Sequence, residues 1–246
     1  MANTTNSPKK ILEQEAALAE FKAKYLDYAA ECKAALRLTL TRIENLKDSL
    51  DRAGKDNPFD VIETRIKEFD STRDKCDRKG YDYNIDEVRE NIKDVAGIRI
   101  ITKYRDKVLY LAELLESIPG LNIVNKKDYV TEPKPNGYSG VHLNCQVEIY
   151  TYGGGSKLVP VEIQLRSQTM NLWAVLEHDL KYKNSNPSPE VETKFRKIAE
   201  ILRQFDEEAI TLRDYSEVVI ENSESAAEPI SATKAISGKI DLAKKK

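Results

Sequence analysis

The sequence predicts an α+β fold: a mixed, largely antiparallel sheet of four or five strands, flanked by helices and extended by helices at both ends. Three observations predict it. Residues 141–150 and 158–166 alternate apolar and polar side chains with the period of two that half-buried strands show. From Leu18 to Leu50 the apolar residues instead recur at steps of three and four, which is a helical stripe. Residues 189–222 continue as a long polar stretch that reads as a second terminal helix.

The elements follow in order. Leu18, Phe21, Tyr25, Tyr28, Cys32, Leu36, Leu40, Ile43, Leu46 and Leu50 place one long helix, or two end to end, over 8–53, and Gly54 breaks it. Asn57-Pro58 reads as an N-cap with proline at the first helical position. A second helix is therefore expected, burying Phe59, Ile62, Ile66 and Phe69. Asp70-Ser71 caps a short basic helix that ends at Gly80, and residues 86–93 form another of one or two turns. Ile98, Ile100 and Ile101 mark a strand, and 107–117 is an amphipathic helix stopped by Pro119-Gly120. Residues 121–130 make a further strand, followed by a Pro- and Gly-rich loop, 132–138, that ends in an exposed tyrosine. The two alternating strands are joined by a turn containing three glycines, 153–155. Residues 167–183 close the core as a helix with Met170, Trp173, Leu176 and Leu180 on one face. The expected organisation is a helical extension over 1–57, a core over 58–183, a C-terminal helix over 184–222 and a disordered tail over 223–246.

Composition removes several function classes. The 246 residues carry 39 Lys+Arg and 41 Asp+Glu, a net charge of −2, which excludes a wholesale nucleic-acid coat but not a local basic pocket. No run approaches the roughly 18 apolar residues of a membrane span. The start shows no basic then apolar leader, so a secretory signal is not expected. Three scattered cysteines and two histidines, His142 and His178, argue against a disulfide framework or structural zinc site, so a reducing cytoplasm is expected. No P-loop, GxGxxG or GxSxG is present.

The polar faces of the last two strands hold a carboxylate (Glu162), amides (Asn144, Gln146, Gln164), Arg166 and His142. A plain solvent-facing sheet also alternates, but is richer in Lys, Thr and Glu. Asp94 opens the first strand, five residues before Arg99. If the strands pair, Asp94 and Glu162 become neighbours that can share a divalent metal, and Mg²⁺ uses one or two carboxylates with substrate phosphates. Upstream, the segment from Arg65 to Lys79 supplies cations, and Lys67, Ser71, Lys75 and Arg78 (or Lys79) recur at about one helical turn. Alone that is a solvated face; beside two carboxylates it is a triphosphate clamp. Tyr138 is either a platform for a base or a turn residue covering the core.

Asp94-Val-Ala-Gly-Ile-Arg-Ile100, Pro133-Lys-Pro-Asn-Gly-Tyr138, Val161-Glu-Ile-Gln-Leu-Arg166 and Trp173-Ala-Val-Leu-Glu-His178, with Tyr182-Lys183, occur in one order. Together they resemble the synthetase domain of the RelA/SpoT family, with the length of a stand-alone small alarmone synthetase. The resemblance implies a nucleotidyltransferase-like sheet and transfer of the β,γ-pyrophosphate of ATP to the 3′-hydroxyl of GDP or GTP, giving (p)ppGpp and AMP. It implies Mg²⁺ on Asp94 and Glu162, with Glu162 also taking the proton of the attacking hydroxyl. It implies ATP on Arg65, Lys67, Ser71, Lys75, Arg78 and Arg99. The acceptor guanine would stack on Tyr138, with Lys127, Lys134, Asn136, His142, Gln164 and Arg166 around it. Trp173, Glu177, His178, Tyr182 and Lys183 match a helix read as partly packing.

One departure stands out. The family usually reads Tyr-Arg-Ser-x-His where this chain has Tyr138-Ser139-Gly140-Val141-His142. That opens the identity of the acceptor. The alternative is a toxin of a toxin–antitoxin pair that modifies the tRNA 3′ CCA end, using Lys126, Lys127 or Lys134, or that makes adenosine alarmones. A catalytically silent scaffold is the reading from another class. Hydrolase activity is not expected, and the terminal helices are expected to support homo-oligomers, without a membrane partner.

Overall fold

Strands pair where the sequence alternates. The computed structural model describes residues 8–183 and 188–226. Its element order is α1 (Pro8–Arg52), β1 (Val61–Ile66), α2 (Phe69–Lys79), α3 (Ile85–Asn91), β2 (Ala96–Thr102), α4 (Asp106–Glu116), β3 (Asn122–Asp128), β4 (Val141–Thr151), β5 (Gly155–Ser167), α5 (Gln168–Lys183) and α6 (Pro189–Ala226). Two compact units divide the chain, Met1–Ile210 and Thr211–Lys246. The sheet lies in the first. The tail expected from residue 223 is helical to Ala226, and the rest of it lies outside the described residues.

The five strands run in the order β1-β2-β5-β4-β3, and only β2 and β5 are parallel. The sheet is thus mixed and largely antiparallel, as expected. On one face Ile98 and Ile100 of β2, Leu143, Cys145 and Val147 of β4, and Val161, Ile163 and Leu165 of β5 are buried. They pack in one cluster with Phe21, Tyr25, Tyr28, Cys32, Ala35 and Ile43 of α1, and with Val108, Leu111 and Leu115 of α4. Each large side chain so buried contributes about 1.5–3 kcal/mol. The opposite face keeps Arg99, His142, Asn144, Gln146, Glu162 and Gln164 half-buried, and it is there that the polar chemistry collects. No helix among the described residues is long and apolar enough to cross a membrane.

One expected element is wrong. Residues 59–66 do not form a helix: 61–66 is the edge strand β1, paired antiparallel with β2 from Val61↔Ile101 to Ile66↔Ala96. Ile62 and Ile66 are four residues apart, a spacing that fits both a helix and one face of a strand. Val61, Ile62, Thr64 and Ile66 are β-branched, and these stiff side chains favour the strand. Asn57 does not cap a helix either; its Oδ1 accepts the Phe59 N–H at 3.0 Å, closing a local turn. The next helix starts at Phe69 with Glu68 as its N-cap, slightly earlier than Asp70-Ser71 would place it. A second correction concerns α5. Met170 and Trp173 are buried, but Leu176 and Leu180 are exposed. Only the first turns of α5 lie against the core, so a periodic stripe continues past the surface that covers it.

Candidate active site

The parallel pairing of β2 with β5 decides where the carboxylates meet. Gly97 is the register partner of Glu162, and Asp94 lies three residues before it, at the entry to β2. Each is close enough for the Asp94 charge to act on Glu162. Lys67 follows β1, its N–H bonded to Val95 O at 2.8 Å, and its Nζ lies 3.0 Å from Asp94 Oδ2. Lys75 reaches Asp94 Oδ1 from α2 at 2.7 Å. The expected cation cluster therefore exists, but not as one helix face: Arg65 lies on β1 and Lys67 just past it. Ser71 and Arg78 flank Lys75 on α2 at one-turn spacings and are exposed, and Arg78 Nε donates to Asp74 O at 3.3 Å.

Glu162 is bound on both oxygens. His142 Nδ1 lies 3.0 Å from Oε1, and Gln164 Nε2 donates to Oε2 at 2.8 Å. Burial pushes both carboxyls up, but hydrogen bonds and charge outweigh it. Lys75 and Lys67 hold Asp94 below its ordinary value, and His142 and Gln164 do the same for Glu162. Both are carboxylates at neutral pH. Two hard oxygen donors suit a cation whose other ligands come from substrate phosphates and water, and the described residues show no cluster of three or more ligands for a protein-only cage.

The lowered values have a sign. Stabilisation from these carboxylates is complete above their ordinary range, near 4, and is lost as pH falls through the lowered values. The melting temperature is expected to hold between pH 7 and 5 and to drop below about 4. Asp94→Asn should flatten that acid limb in a circular-dichroism titration; a profile parallel to the wild type down to acid unfolding would refute it.

Beside the carboxylates lie two adjoining depressions. One, of about 250 Å³, is bordered by Glu162, Arg65 and Arg99; the other, of about 630 Å³, by Arg65, Arg99, Tyr138, Arg166 and the α5 residues Glu177 and His178. The larger has the size of a small-molecule site. Arg99 is tied to Glu63 at 3.1 Å, and its pKa is lowered by burial and by the charge of Arg166. The Nε atoms of Arg99 and Arg166 are buried without a hydrogen-bond partner among the described residues, and both guanidinium groups border the depressions, where such donors suit an anionic or polar guest.

The tyrosine loop differs from expectation. Tyr138 is not exposed but 9% accessible, because its hydroxyl and its ring are both engaged. Its Oη lies 2.5 Å from His142 Nε2 and accepts from Arg166 Nη2 at 3.1 Å. Its ring packs edge-on against Tyr129 and Trp173, with centroids 5.9 and 6.1 Å away. Lys134 Nζ lies 4.4 and 4.9 Å from the Tyr129 and Tyr138 centroids. Asn136 Nδ2 donates to Glu177 Oε1 at 2.8 Å, and Lys127 is exposed on β3, register partner of His142. The side chains of Tyr182 and Lys183 lie outside the described residues. Sequence reasoning missed Glu63, Tyr129 and Ala199. An edge-strand reading of 61–66 would have placed Glu63 beside Arg99; nothing local marks the α6 residue Ala199.

A family model described as the region found in RelA / SpoT proteins matches residues 64–187, from within β1 through α5, including Arg65, Asp94, Arg99, Tyr138, Glu162 and Arg166. GTP pyrophosphokinase YwaC of Bacillus subtilis (strain 168) is 31% identical over 158 residues, covering 64% of this chain and 75% of that protein. GTP pyrophosphokinase YjbM of the same organism is 36% identical over 121 residues, 49% of this chain and 57% of its own length. The structure of small alarmone synthetase 1 from Bacillus subtilis bound to its product pppGpp superposes with a TM-score of 0.68 at 28% identity, covering 78% of this chain and 96% of that one. A matching region that spans the sheet, both carboxylates and the tyrosine loop makes the assignment: the chain belongs to the RelA/SpoT family.

Proposed function

We propose that this protein transfers the β,γ-pyrophosphate of ATP to the 3′-hydroxyl of GDP or GTP, making (p)ppGpp and releasing AMP, with the chemistry carried by residues 58–183. The observation that carries the reading is the pair of ionised carboxylates, Asp94 and Glu162, set beside a depression walled by Arg65, Arg99 and Arg166. The relatives named GTP pyrophosphokinase and the neighbour holding pppGpp support it.

In this scheme the acceptor 3′-oxygen attacks the β-phosphorus of ATP. The bond from that phosphorus to the α,β-bridging oxygen breaks, and AMP leaves with the electron pair. Glu162 accepts the proton of the hydroxyl and later passes it to solvent. Arg65, Arg99, Lys67, Lys75 and Arg78, with Ser71 as a hydroxyl donor, bind the ATP phosphates and offset charge that builds on their oxygens. Tyr138, Lys127, Lys134, Asn136, His142, Gln164 and Arg166 hold the acceptor nucleotide. Asp94 and Glu162 would hold Mg²⁺, which supplies Lewis-acid polarisation of phosphate oxygens when bound. Exposed Leu26, Leu38, Ile201 and Phe205 support self-association through the terminal helices.

The test is transfer from ATP labelled at the γ-phosphate, with Mg²⁺ and GDP, GTP, GMP, ADP or deacylated tRNA offered separately. Label on GDP or GTP with AMP released is the expected result. Label on tRNA alone, or transfer to no acceptor, overturns the reading. Light scattering on the same sample reads the mass, and a single-chain mass removes the self-association.

A further inference from the structure

Five side chains, the proposed base Glu162 among them, close a ring of hydrogen bonds. Glu162 Oε1 meets His142 Nδ1 at 3.0 Å, and His142 Nε2 meets the Tyr138 hydroxyl at 2.5 Å. The Tyr138 oxygen accepts from Arg166 Nη2 at 3.1 Å, and the same Nη2 donates to Gln164 Oε1 at 3.1 Å. Gln164 Nε2 returns to Glu162 Oε2 at 2.8 Å. A carboxylate only accepts, so Nδ1 carries a proton, and in the neutral tautomer that this pairing selects Nε2 accepts from the tyrosine O–H. The ring is thus closed by one hydroxyl, and that hydroxyl belongs to the residue proposed to stack on the acceptor base.

What admits the hydroxyl is Gly140. Its φ of +150° is a conformation that side chains other than glycine's disfavour. A Cβ there would stand 3.0 Å from Leu165 O, 3.3 Å from Arg166 Cγ and 3.4 Å from the Tyr138 hydroxyl. Any side chain at 140 presses on the β5 backbone and on two members of the ring. This is the position where the resemblance predicted serine, so the departure from the family's usual reading falls on the contact that seats Tyr138.

We propose that the Tyr138 hydroxyl is a positioning group for the proton acceptor. It fixes the tautomer and orientation of His142, which in turn aims Glu162, and Gly140 is the residue that lets it do so. This rests on the reading of Glu162 as the group that takes the acceptor proton. Tyr138 then does two jobs with two parts of one side chain, the ring for the acceptor nucleotide and the hydroxyl for the base.

Tyr138→Phe separates them, since it keeps the ring and deletes the hydroxyl. Loss of a partner that orients a ligand or base through one intervening side chain reduces activity about 10- to 100-fold. The expected result is a fall of that size in kcat with the acceptor KM held within about twofold. Tyr138→Leu, which removes the ring as well, raises the acceptor KM in addition. Gly140→Ser lowers kcat like Tyr138→Phe. In the ligand-free protein labelled with ¹⁵N-histidine, the Nε2 resonance of His142 moves in Tyr138→Phe, while that of exposed His178 stays as an internal control. Wild-type kcat in Tyr138→Phe, or an unmoved His142 Nε2 signal, overturns the proposal. If the wild-type protein transfers nothing to any acceptor, the reading of the reaction fails, and the nitrogen resonance still decides whether the hydroxyl holds His142.

Discussion

Glu162→Ala and Asp94→Ala are each expected to lose pyrophosphate transfer while the protein stays folded. Removing one well-placed group that stabilises developing charge costs roughly 3–4 kcal/mol of transition-state stabilisation, a rate loss on the order of 10²–10³. At Glu162 the proton acceptor goes with it, so the loss compounds. The fold has reason to survive. Glu162 lies on the polar face of β5, and with its partner Gln164 it borders space that water can enter when the carboxylate is gone. Asp94→Ala leaves Lys67 and Lys75 without their shared acceptor; their side chains keep 13% and 25% of their exposure, so solvent takes up part of that charge. About 1–3 kcal/mol of stability is expected to go. Label transfer gives the first quantity and thermal melts the second. An inactive variant whose cooperative melt has also collapsed would make the carboxylates pillars of the fold, and a variant with near wild-type transfer would remove them from the chemistry.

Trp173→Ala should produce the largest loss of stability around the site. Trp173 is 2% exposed and forms a small cluster with Tyr138 and Phe195, apart from the main core. Its Nε1 donates to Phe195 O at 3.1 Å, and its ring is 5.9 Å from that of Phe195. It also underlies Gly137, where a Cβ would lie 3.6 Å from the indole and 2.7 Å from the Ala199 side chain. Truncation of a buried Trp costs about 3–5 kcal/mol. Because Trp173 is the single tryptophan of the chain, urea unfolding must be followed by far-UV circular dichroism. The acceptor KM is expected to rise as well, since this cluster holds the tyrosine loop against α5 and the first part of α6. Trp173→Phe, which keeps a ring and loses one hydrogen bond, should cost about 1 kcal/mol from that bond plus a smaller packing loss. A loss below about 1 kcal/mol in Trp173→Ala would mean that the cluster does not brace the loop.

These two results probe parts of the molecule that were unequally visible in the sequence. Glu162 stood out because a strand has period two, so His142, Asn144, Gln146, Glu162 and Gln164 fell on one face of β4 and β5 by counting, whereas Asp94 was marked only by its place at the entry to β2. The long stripe of α1 was equally plain, since Phe21, Tyr25, Tyr28 and Cys32 share a face only in a helix. Where two periods coincide, counting fails: Ile62 and Ile66 fit a helix or a strand, and β1 was misread until its pairing with β2 decided it. Tyr138 failed for another reason. A tyrosine after Pro, Asn and Gly reads as a loop tip, yet its exposure depends on Trp173, Arg166 and His142, which are up to 35 residues away in sequence.

The sequence by itself determined the alternation that sorts β4 and β5 into a core face and a polar face, the helical stripe of α1, and the motifs that mark the family. Local periodicity and residue chemistry are properties of the chain, and they survive without knowledge of the fold. Only the tertiary structure decided that β2 lies parallel to β5, which brings Asp94 beside Glu162. It alone decided that Lys67 and Lys75 converge on Asp94 from a strand end and a helix, and that α6 packs Ala199 against Gly137. Each of these is a contact between distant segments, set by register and packing, and no short-range pattern encodes which of several compatible neighbours a residue will meet.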